Sequence, residues 1–439
     1  MSKLLKRKVF YVQVHLASPL SVSSGEKEWT DSDVLRDAKG NPFVSGSSLA
    51  GAMRAYLEKE KNQKCFMGYA DRNAADGGRM SSLFISDLNF TSNPVANTRD
   101  GVALDDNKTA VTESKYDMEI LEAGSKAYFY AELAVREEDR EEEMEQQLAY
   151  ALQGIDQGEI RFGGKKTRGF GKLKIEKLSS ITYGKENYLD YAKAYDAETW
   201  KNCQDKKAEV FEKAQWKPKM VHIEVPLRMK GGISIRQYAA RKDEPDFVQL
   251  KDHGKAVIPG SSMTGAIRHR AKNILEELKR AGVDLPENSG RVLDVAFGYV
   301  EGTEACISNV IVGETEIEGA KDLAVVRTGV SRFESAVKKR SLYKEKTAVD
   351  GRLKLEIYIR KGKYPEDEKW ILGLVLLALK DLQNGFLAVG GQTAIGRGIF
   401  EADEPKKMKI DGEEGKEDEY IADMLKNMEI SKGGRVWNC

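Results

Sequence analysis

Apolar and polar side chains alternate through VFYVQVHL at 9–16, the period-two pattern of a half-buried strand. GSSLAGAMRAYLEKE at 46–60 instead spaces its apolar residues three and four apart, as a helix does, with Ser47 or Ser48 placed to cap it. LFISDLNF and KAYFYAELAV return to strand character. EEDREEEMEQQLAYALQGI then predicts a second helix, and GEIRF a short strand ahead of a glycine-rich loop. The order is strand, loop, helix, strand, hairpin, helix, strand. The longest apolar run, ILGLVLLAL at 371–379, is bracketed by Lys369 and Lys380 and predicts a buried helix. It falls short of the roughly 18 apolar residues of a membrane span, so no membrane partner is expected. The basic N-terminus leads into alternation and lacks a signal peptide's apolar core.

The same order occurs twice. PFVSGSSLAGAMRAYL at 42–57 returns as AVIPGSSMTGAIRHRA at 256–271, both containing GSSxxGAxR. Upstream, DSDVLRD at 31–37 answers DFVQLKD at 246–252, pairing Asp31 with Asp246 and Asp37 with Asp252. GGKKTRGFG at 163–171 answers GGQTAIGRG at 390–398, and Gly124 and Gly351 precede these loops by the same spacing. His15 and Pro19 answer His222 and Pro226. Four ordered blocks make internal duplication the organising fact of the chain. The expected layout is a first domain at 1–178, a helical linker at 179–216, a second domain at 217–401 and a charged tail at 402–439. The expected fold is α+β, two tandem ferredoxin-like (RRM-like) domains with both helices on one sheet face.

The 439 residues carry 70 Lys+Arg against 70 Asp+Glu, which excludes a uniformly basic nucleic-acid coat but not segregated charge. The cations cluster: Lys165, Lys166, Arg168, Lys172 and Lys174 follow Gly163 and Gly164 with no acid among them. Gly390, Gly391, Gln392 and Arg397 form the second copy. Glycines let backbone approach a ligand, and amides with cations suit phosphates; a tight structural turn is the plainer alternative. Ser47, Ser48 and Arg54, with Ser261, Ser262 and Arg268, place hydroxyls and cations near a helix N-terminus. That arrangement serves anion binding or ordinary capping. RFESAVKKRSLYKEK at 332–346 interleaves Phe333 and Tyr343 with Arg332, Lys338, Lys339 and Arg340, a composition that stacks bases while holding phosphates. EEDREEEME at 137–145 reads as a solvated helix start or a protein contact. Asp31 and Asp246, each just ahead of a GSS helix, are the leading catalytic candidates, with Asp33, Asp37 and Asp252 as supporting acids. A carboxylate beside a phosphate site calls for a metal or a proton, whereas any loop aspartate can also serve a turn. Cys65, Cys203, Cys306 and Cys439 show no CxxC pair, so neither zinc nor a disulfide framework is expected, and a reducing cytoplasm fits.

GSS[LM]xGAxR, D-x-x-[VQ]-L-[RK]-D and GGxxxxGxG together resemble the RAMP superfamily of CRISPR-associated proteins. Within it, the chain is most similar to the backbone subunits of type III effector complexes, here as a tandem fusion. The resemblance implies a subunit that wraps guide RNA, with a β-hairpin thumb inserted in each domain that displaces a nucleotide of the guide–target duplex. It further implies partner effector subunits and a complementary target RNA. The target would be cut beside the displaced nucleotide by a loop aspartate with a divalent metal such as Mg2+; by motif position these are Asp31 and Asp246. A non-catalytic scaffold and a guide-precursor processing endoribonuclease are the alternatives. Where family members often carry a His-Gly-rich stretch after the first strand, this chain has PLSVSSGE.

Overall fold

A computed structural model of the chain describes residues 3–25, 28–57, 66–70, 77–105, 109–238, 245–283, 285, 289–362 and 365–430. Two compact units emerge: Met1–Gly101, Lys115–Lys166 and Phe170–Pro218 form the first, and Val102–Ser114, Thr167–Gly169 and Lys219–Cys439 the second.

The first unit contains β1 (Leu4–Leu16), β2 (Phe43–Val44), α1 (Gly46–Leu57), β3 (Leu83–Ile85), β4 (Leu88–Phe90), β5 (Ala96–Gly101), β6 (Tyr116–Leu121), β7 (Lys126–Arg136), α2 (Glu141–Asp156), β8 (Leu173–Tyr183) and α3 (Lys207–Lys213). Its antiparallel sheet runs β8–β1–β7–β4–β2, with β3 also pairing with β7. Counting β3 and β4 as the second strand of the repeat gives the order 4-1-3-2, compatible with a ferredoxin-like layout. Alternation along β1 decides the layers. Phe10, Val12, Val14 and Leu16 pack against Leu49 and Met53 of α1 and Leu148, Leu152 and Ile155 of α2. β5 and β6 pair as a hairpin inserted between the second and third sheet strands.

The second unit repeats the plan with β9 (Met220–Lys230), β10 (Arg236–Tyr238), β11 (Phe247–Gln249), β12 (Lys255–Ile258), α4 (Gly260–Arg280), α5 (Arg291–Phe297), β13 (Val310–Val312), β14 (Thr315–Glu316), β15 (Lys321–Arg327), β16 (Tyr343–Val349), β17 (Arg352–Arg360), α6 (Pro365–Gln383), β18 (Ile399–Ala402), β19 (Lys409–Ile410), β20 (Glu413–Glu414) and α7 (Glu417–Ile430). The sheet runs β13–β17–β9–β19–β20, with β18 also on β9, and β15–β16 is the inserted hairpin. The run at 371–379 is the buried heart of α6, as its apolarity predicts.

Several expectations change. Ser45 caps α1 instead of Ser47 or Ser48: its carbonyl accepts the Ser48 amide at 2.9 Å and its hydroxyl approaches those of both serines. Residues 179–183 complete β8 and do not begin a linker. Beyond them, short turns lay Tyr191, Ala194 and Trp200 on Val9 and Tyr130, on the sheet face opposite α1 and α2. The segment looks polar in sequence because tyrosines carry an apolar body and a polar tip. Here Tyr191 and Tyr195 donate their hydroxyls to Glu132, which is buried and also holds Arg7. The charged tail likewise belongs to the second unit: β19 and β20 extend the sheet, and α7 seats Met424 against Gly373. Cys306 is disulfide-bonded, where no disulfide framework was expected. Cys65 and Cys439 lie outside the described residues. The acidic helix start is partly paired, with Glu141 on Lys6 and Glu145 on Lys8 and Lys213. No helix among the described residues is long and apolar enough to cross a membrane.

Candidate functional site

The loop carrying Asp31 is shaped by its neighbour. The buried Asp33 carboxylate accepts the backbone amides of Glu28 (2.7 Å), Trp29 (3.2 Å) and Thr30 (2.9 Å) and the Thr30 hydroxyl (2.7 Å). The Thr30 hydroxyl, and then those amides, hold its pKa below the usual carboxylate range. Asp33 is therefore spent on the loop. Asp37 does the same for the next turn, accepting from Lys39 and Asn41, which depresses its pKa too.

Asp31 itself is exposed and reaches the foot of the β5–β6 hairpin. Its amide donates to Asp117 Oδ1 at 2.9 Å, and the Asp117 amide donates to Asp31 Oδ2 at 3.0 Å. The second oxygen of each carboxylate accepts no hydrogen bond among the described residues. Two residues on, the Glu119 amide donates to the Ser32 carbonyl (3.0 Å), and the Glu119 carboxylate holds the Val34 amide and Arg36. Arg36 keeps the Glu119 carboxyl below its ordinary range.

The second repeat reproduces this clasp with different side chains. Asp246, also exposed, accepts the backbone amide of Lys344 at 2.8 Å. Tyr116–Asp117 and Tyr343–Lys344 open the returning hairpin strands β6 and β16, so both aspartates meet the residue after a tyrosine at the same structural position. β11 then pairs in parallel with β16, Phe247 opposite Glu345. The repeats diverge in charge, since Asp117 offers a second carboxylate and Lys344 a cation.

The glycine-rich loops close this foot from beneath. Gly164 and Gly391 donate to the carbonyls of Ser21 and Ser234 at 2.7 and 2.8 Å. Gly171 and Gly398 have positive φ, and a Cβ there would lie 1.9 Å from the carbonyls of Phe162 and Val389. These glycines meet backbone constraints of the turn itself. What the loops present differs between repeats. In the first, Phe170 packs with Met118 and Ile120, and Lys165 Nζ lies 4.4 Å from the Tyr116 ring centroid. In the second, the corresponding floor is ionic: buried Glu345 meets Arg397 (2.9 Å), Arg327 (2.6 Å) and Gln392 (2.6 Å). Lys165, Lys166 and Arg168 are exposed and form no ion pair among the described residues. Lys174 instead pairs with Asp156.

In α1 and α4, Gly46 and Gly260 sit where a Cβ would strike the carbonyls of Ile85 (2.4 Å) and Val312 (2.3 Å). Gly260 also faces the Arg168 carbonyl, in a segment that clusters with the second unit. Gly51 and Gly265 are different: exposed, mid-helix, with nothing within 4 Å of an added Cβ. With Ser47 and Arg54, and with Ser261 and Arg268, they line exposed helix faces; Ser48 is exposed and Ser262 half-buried. Arg54 donates to the carbonyls of Met67 and Gly68, and Arg268 reaches Asp294 of α5 at 3.5 Å. The partner of Arg54 reveals a further repeated block, FMGY at 66–69 against AFGY at 296–299, whose signal is the shared Gly-Tyr, with Gly68 and Gly298 both at positive φ. Asp252 is buried and paired across a tight turn with Lys255, away from the Asp246 clasp.

In the β15–β16 hairpin, Arg332, Lys338, Lys339 and Arg340 are all exposed without an ion pair among the described residues, beside Phe333 at 98% exposure. Arg236 lies over the Phe247 ring, 4.5 Å from its centroid. The three-residue grouping of metal-capable side chains found among the described residues is elsewhere: His222, Glu224 and Glu356, on the outer face of the second sheet. There the Lys354 ammonium stands 3.7 and 3.3 Å from the two carboxylates. Neither Asp31 nor Asp246 belongs to such a grouping.

A family model described as the RAMP superfamily matches residues 14–174 and, again, 222–401. The chain belongs to the RAMP superfamily. The two matches coincide with the two sheets and their hairpins, so the internal repeat is a pair of RAMP domains. Membership makes this RAMP chain an RNA-binding protein of the CRISPR-associated kind. No curated protein shows significant similarity to it.

Proposed function

We propose that this RAMP chain is a guide-RNA-binding backbone subunit of a type III effector complex and that it cuts complementary target RNA at Asp31. The observation that carries the reading is the recurrence of one clasp, Asp31 on the Asp117 amide and Asp246 on the Lys344 amide, at the foot of each inserted hairpin. The glycine-rich loop and the second hairpin also carry exposed cations that form no ion pair among the described residues. Elsewhere many lysines and arginines are already paired, as in Lys6–Glu141 and Arg79–Asp139. Exposed cations without a carboxylate partner suit a polyanion more than a protein interior.

The chemistry needs little from the protein beyond placement. A 2′-hydroxyl attacks the adjacent phosphorus in line; the O2′–P bond forms, the P–O5′ bond breaks, and a 2′,3′-cyclic phosphate and a 5′-hydroxyl result. Asp31, held by the Asp117 amide, accepts a hydrogen bond from that hydroxyl and orients it; the hydroxyl proton passes to water as the O2′–P bond forms, and water protonates the departing O5′. Asp31 and Asp117 together offer the paired hard oxygens that Mg2+ takes alongside phosphate, and such an ion, when bound, would offset charge on the phosphate. The second repeat offers one exposed carboxylate, Asp246, on the Lys344 amide, while the buried Glu345 nearby in sequence is already taken by Arg327 and Arg397. That pattern favours a second reading for Asp246 alone, a binding position that holds RNA without cutting it.

The test is cleavage of labelled complementary RNA with Mg2+ by the assembled complex carrying wild type, Asp31→Ala, Asp246→Ala or both. Loss of one product with Asp31→Ala supports the reading; identical cutting by all four overturns it. Metal-independent cutting of guide precursor by the isolated chain would favour the processing alternative.

A further inference from the structure

We propose that the indole of Trp29 is a stacking platform for an unpaired nucleobase of the RNA held beside Asp31; the inference rests on the RNA-cutting reading of that loop. Four hydrogen bonds into Asp33 fix the backbone around Trp29, including the Trp29 amide itself at 3.2 Å. Ser32 adds a fifth, donating its amide to the Thr30 hydroxyl at 3.1 Å. Despite this ordering, the Trp29 side chain is 72% exposed. The other tryptophans among the described residues are engaged inside the fold: Trp200 and Trp370 are buried, and Trp216 donates to the Tyr56 hydroxyl.

The ring is also backed. The Arg36 guanidinium lies over it, 5.7 Å from the centroid, and is itself held by Glu119 and the Val34 carbonyl. A rigid loop that keeps a large aromatic surface in water, with a cation behind it, matches how proteins hold single-stranded nucleic acid, since every base has a π-face to offer. Its position points the same way. Trp29 precedes Asp31 by two residues in one hydrogen-bonded loop, and Lys165, on the Tyr116 ring next to Asp117, supplies charge suited to a phosphate. The second repeat has Glu244-Pro245-Asp246 where the first has Trp29-Thr30-Asp31, and Val248 in place of Asp33, so the platform belongs to the first repeat alone.

The experiment titrates the full-length chain with a short unstructured single-stranded RNA, reading anisotropy of labelled RNA and intrinsic tryptophan fluorescence in parallel. Wild type, Trp29→Phe and Trp29→Ala are compared, with thermal melts as a folding check. Trp29→Ala is expected to weaken binding about tenfold or more, the scale of one lost base–aromatic stack. Trp29→Phe should stay within about threefold of wild type, because a smaller ring still stacks. RNA should quench wild type more than Trp29→Phe, and in the assembled complex Trp29→Ala should raise KM for the product assigned to Asp31 more than it lowers kcat. If wild type binds RNA but both variants bind equally well and the quench does not depend on Trp29, the platform is refuted and the RNA reading stands. If wild type binds no RNA, both fall. If Trp29→Ala leaves RNA affinity intact but releases another subunit from the complex, the surface serves a protein and the proposal is wrong.

Discussion

Asp31 and Asp117 exchange amide-to-carboxylate hydrogen bonds, each carboxylate accepting the other residue's amide at 3.0 and 2.9 Å. The pairing joins the loop after the first strand to the returning strand of the inserted hairpin. It sets two carboxylates side by side where Asp33 and Asp37 were expected to be the supporting acids.

Asp117 should therefore matter as much for placement as for charge. Asp117→Ala is expected to lower cleavage at the Asp31 product by about 10- to 100-fold, as loss of an outer residue that orients a reacting group does. Guide-RNA binding should stay near wild type. Asp117→Lys, which copies the second repeat, should do at least as much, read as the rate of that one product against the Asp246 product.

The exposed glycines of α1 and α4 make a prediction with opposite signs. Gly51→Ala and Gly265→Ala should each stabilise the protein by about 1 kcal/mol, because a mid-helix glycine forfeits that much against alanine and both added methyls enter open space. If a nucleic-acid backbone lies along these faces, the same changes weaken RNA binding. Thermal melts and anisotropy on the same samples separate the two effects.

The unpaired loop cations should appear in salt dependence. Replacing Lys165, Lys166 and Arg168 with alanine should flatten the slope of log affinity against log salt by about 2, at roughly 0.7 per phosphate on a single strand. An unchanged slope removes the loop from the interface.

Glu145 provides a pH handle remote from the site. Burial raises its pKa, but hydrogen bonds and charge from Lys8 and Lys213 outweigh that, and its carboxyl ends below the ordinary range. A depressed acid contributes stability above its unfolded pKa of about 4.3 and loses it as pH falls through the folded value. Glu145→Gln should destabilise by about 1 to 3 kcal/mol at pH 7, the scale of hydrogen bonds to a charged group. The difference from wild type should fade toward pH 3, as urea denaturation at the two pH values would show.

The repeated glycines were legible in sequence because each marks a backbone constraint the fold imposes twice. Gly46 and Gly260 face strand carbonyls, and Gly171 and Gly398 face Phe162 and Val389. The position of Asp31 was legible for the same reason. Its partner was not: the clasp runs through an amide, which every residue but proline carries, and Asp117 and Lys344 share no side-chain chemistry to reveal it. The Met118–Phe170 floor and its Glu345–Arg397 counterpart were hidden likewise, since an apolar pair and an ion pair fill equivalent space with unrelated letters. The segment after β8 misled because its tyrosines read as polar until their hydroxyls find Glu132.

The most direct measurement is the cleavage rate of Asp31→Asn in the assembled complex. Asparagine keeps an oxygen for the Asp117 amide, so the hairpin foot stays clasped, but it removes the charge. If the carboxylate acts on the reacting hydroxyl or a metal, the Asp31 product should slow by about 10²- to 10⁴-fold, the usual weight of a positioned acid–base group, with RNA affinity within about twofold of wild type. If Asp31→Asn cuts as fast as wild type while Asp31→Ala does not, the aspartate is only a clasp and the catalytic assignment is contradicted.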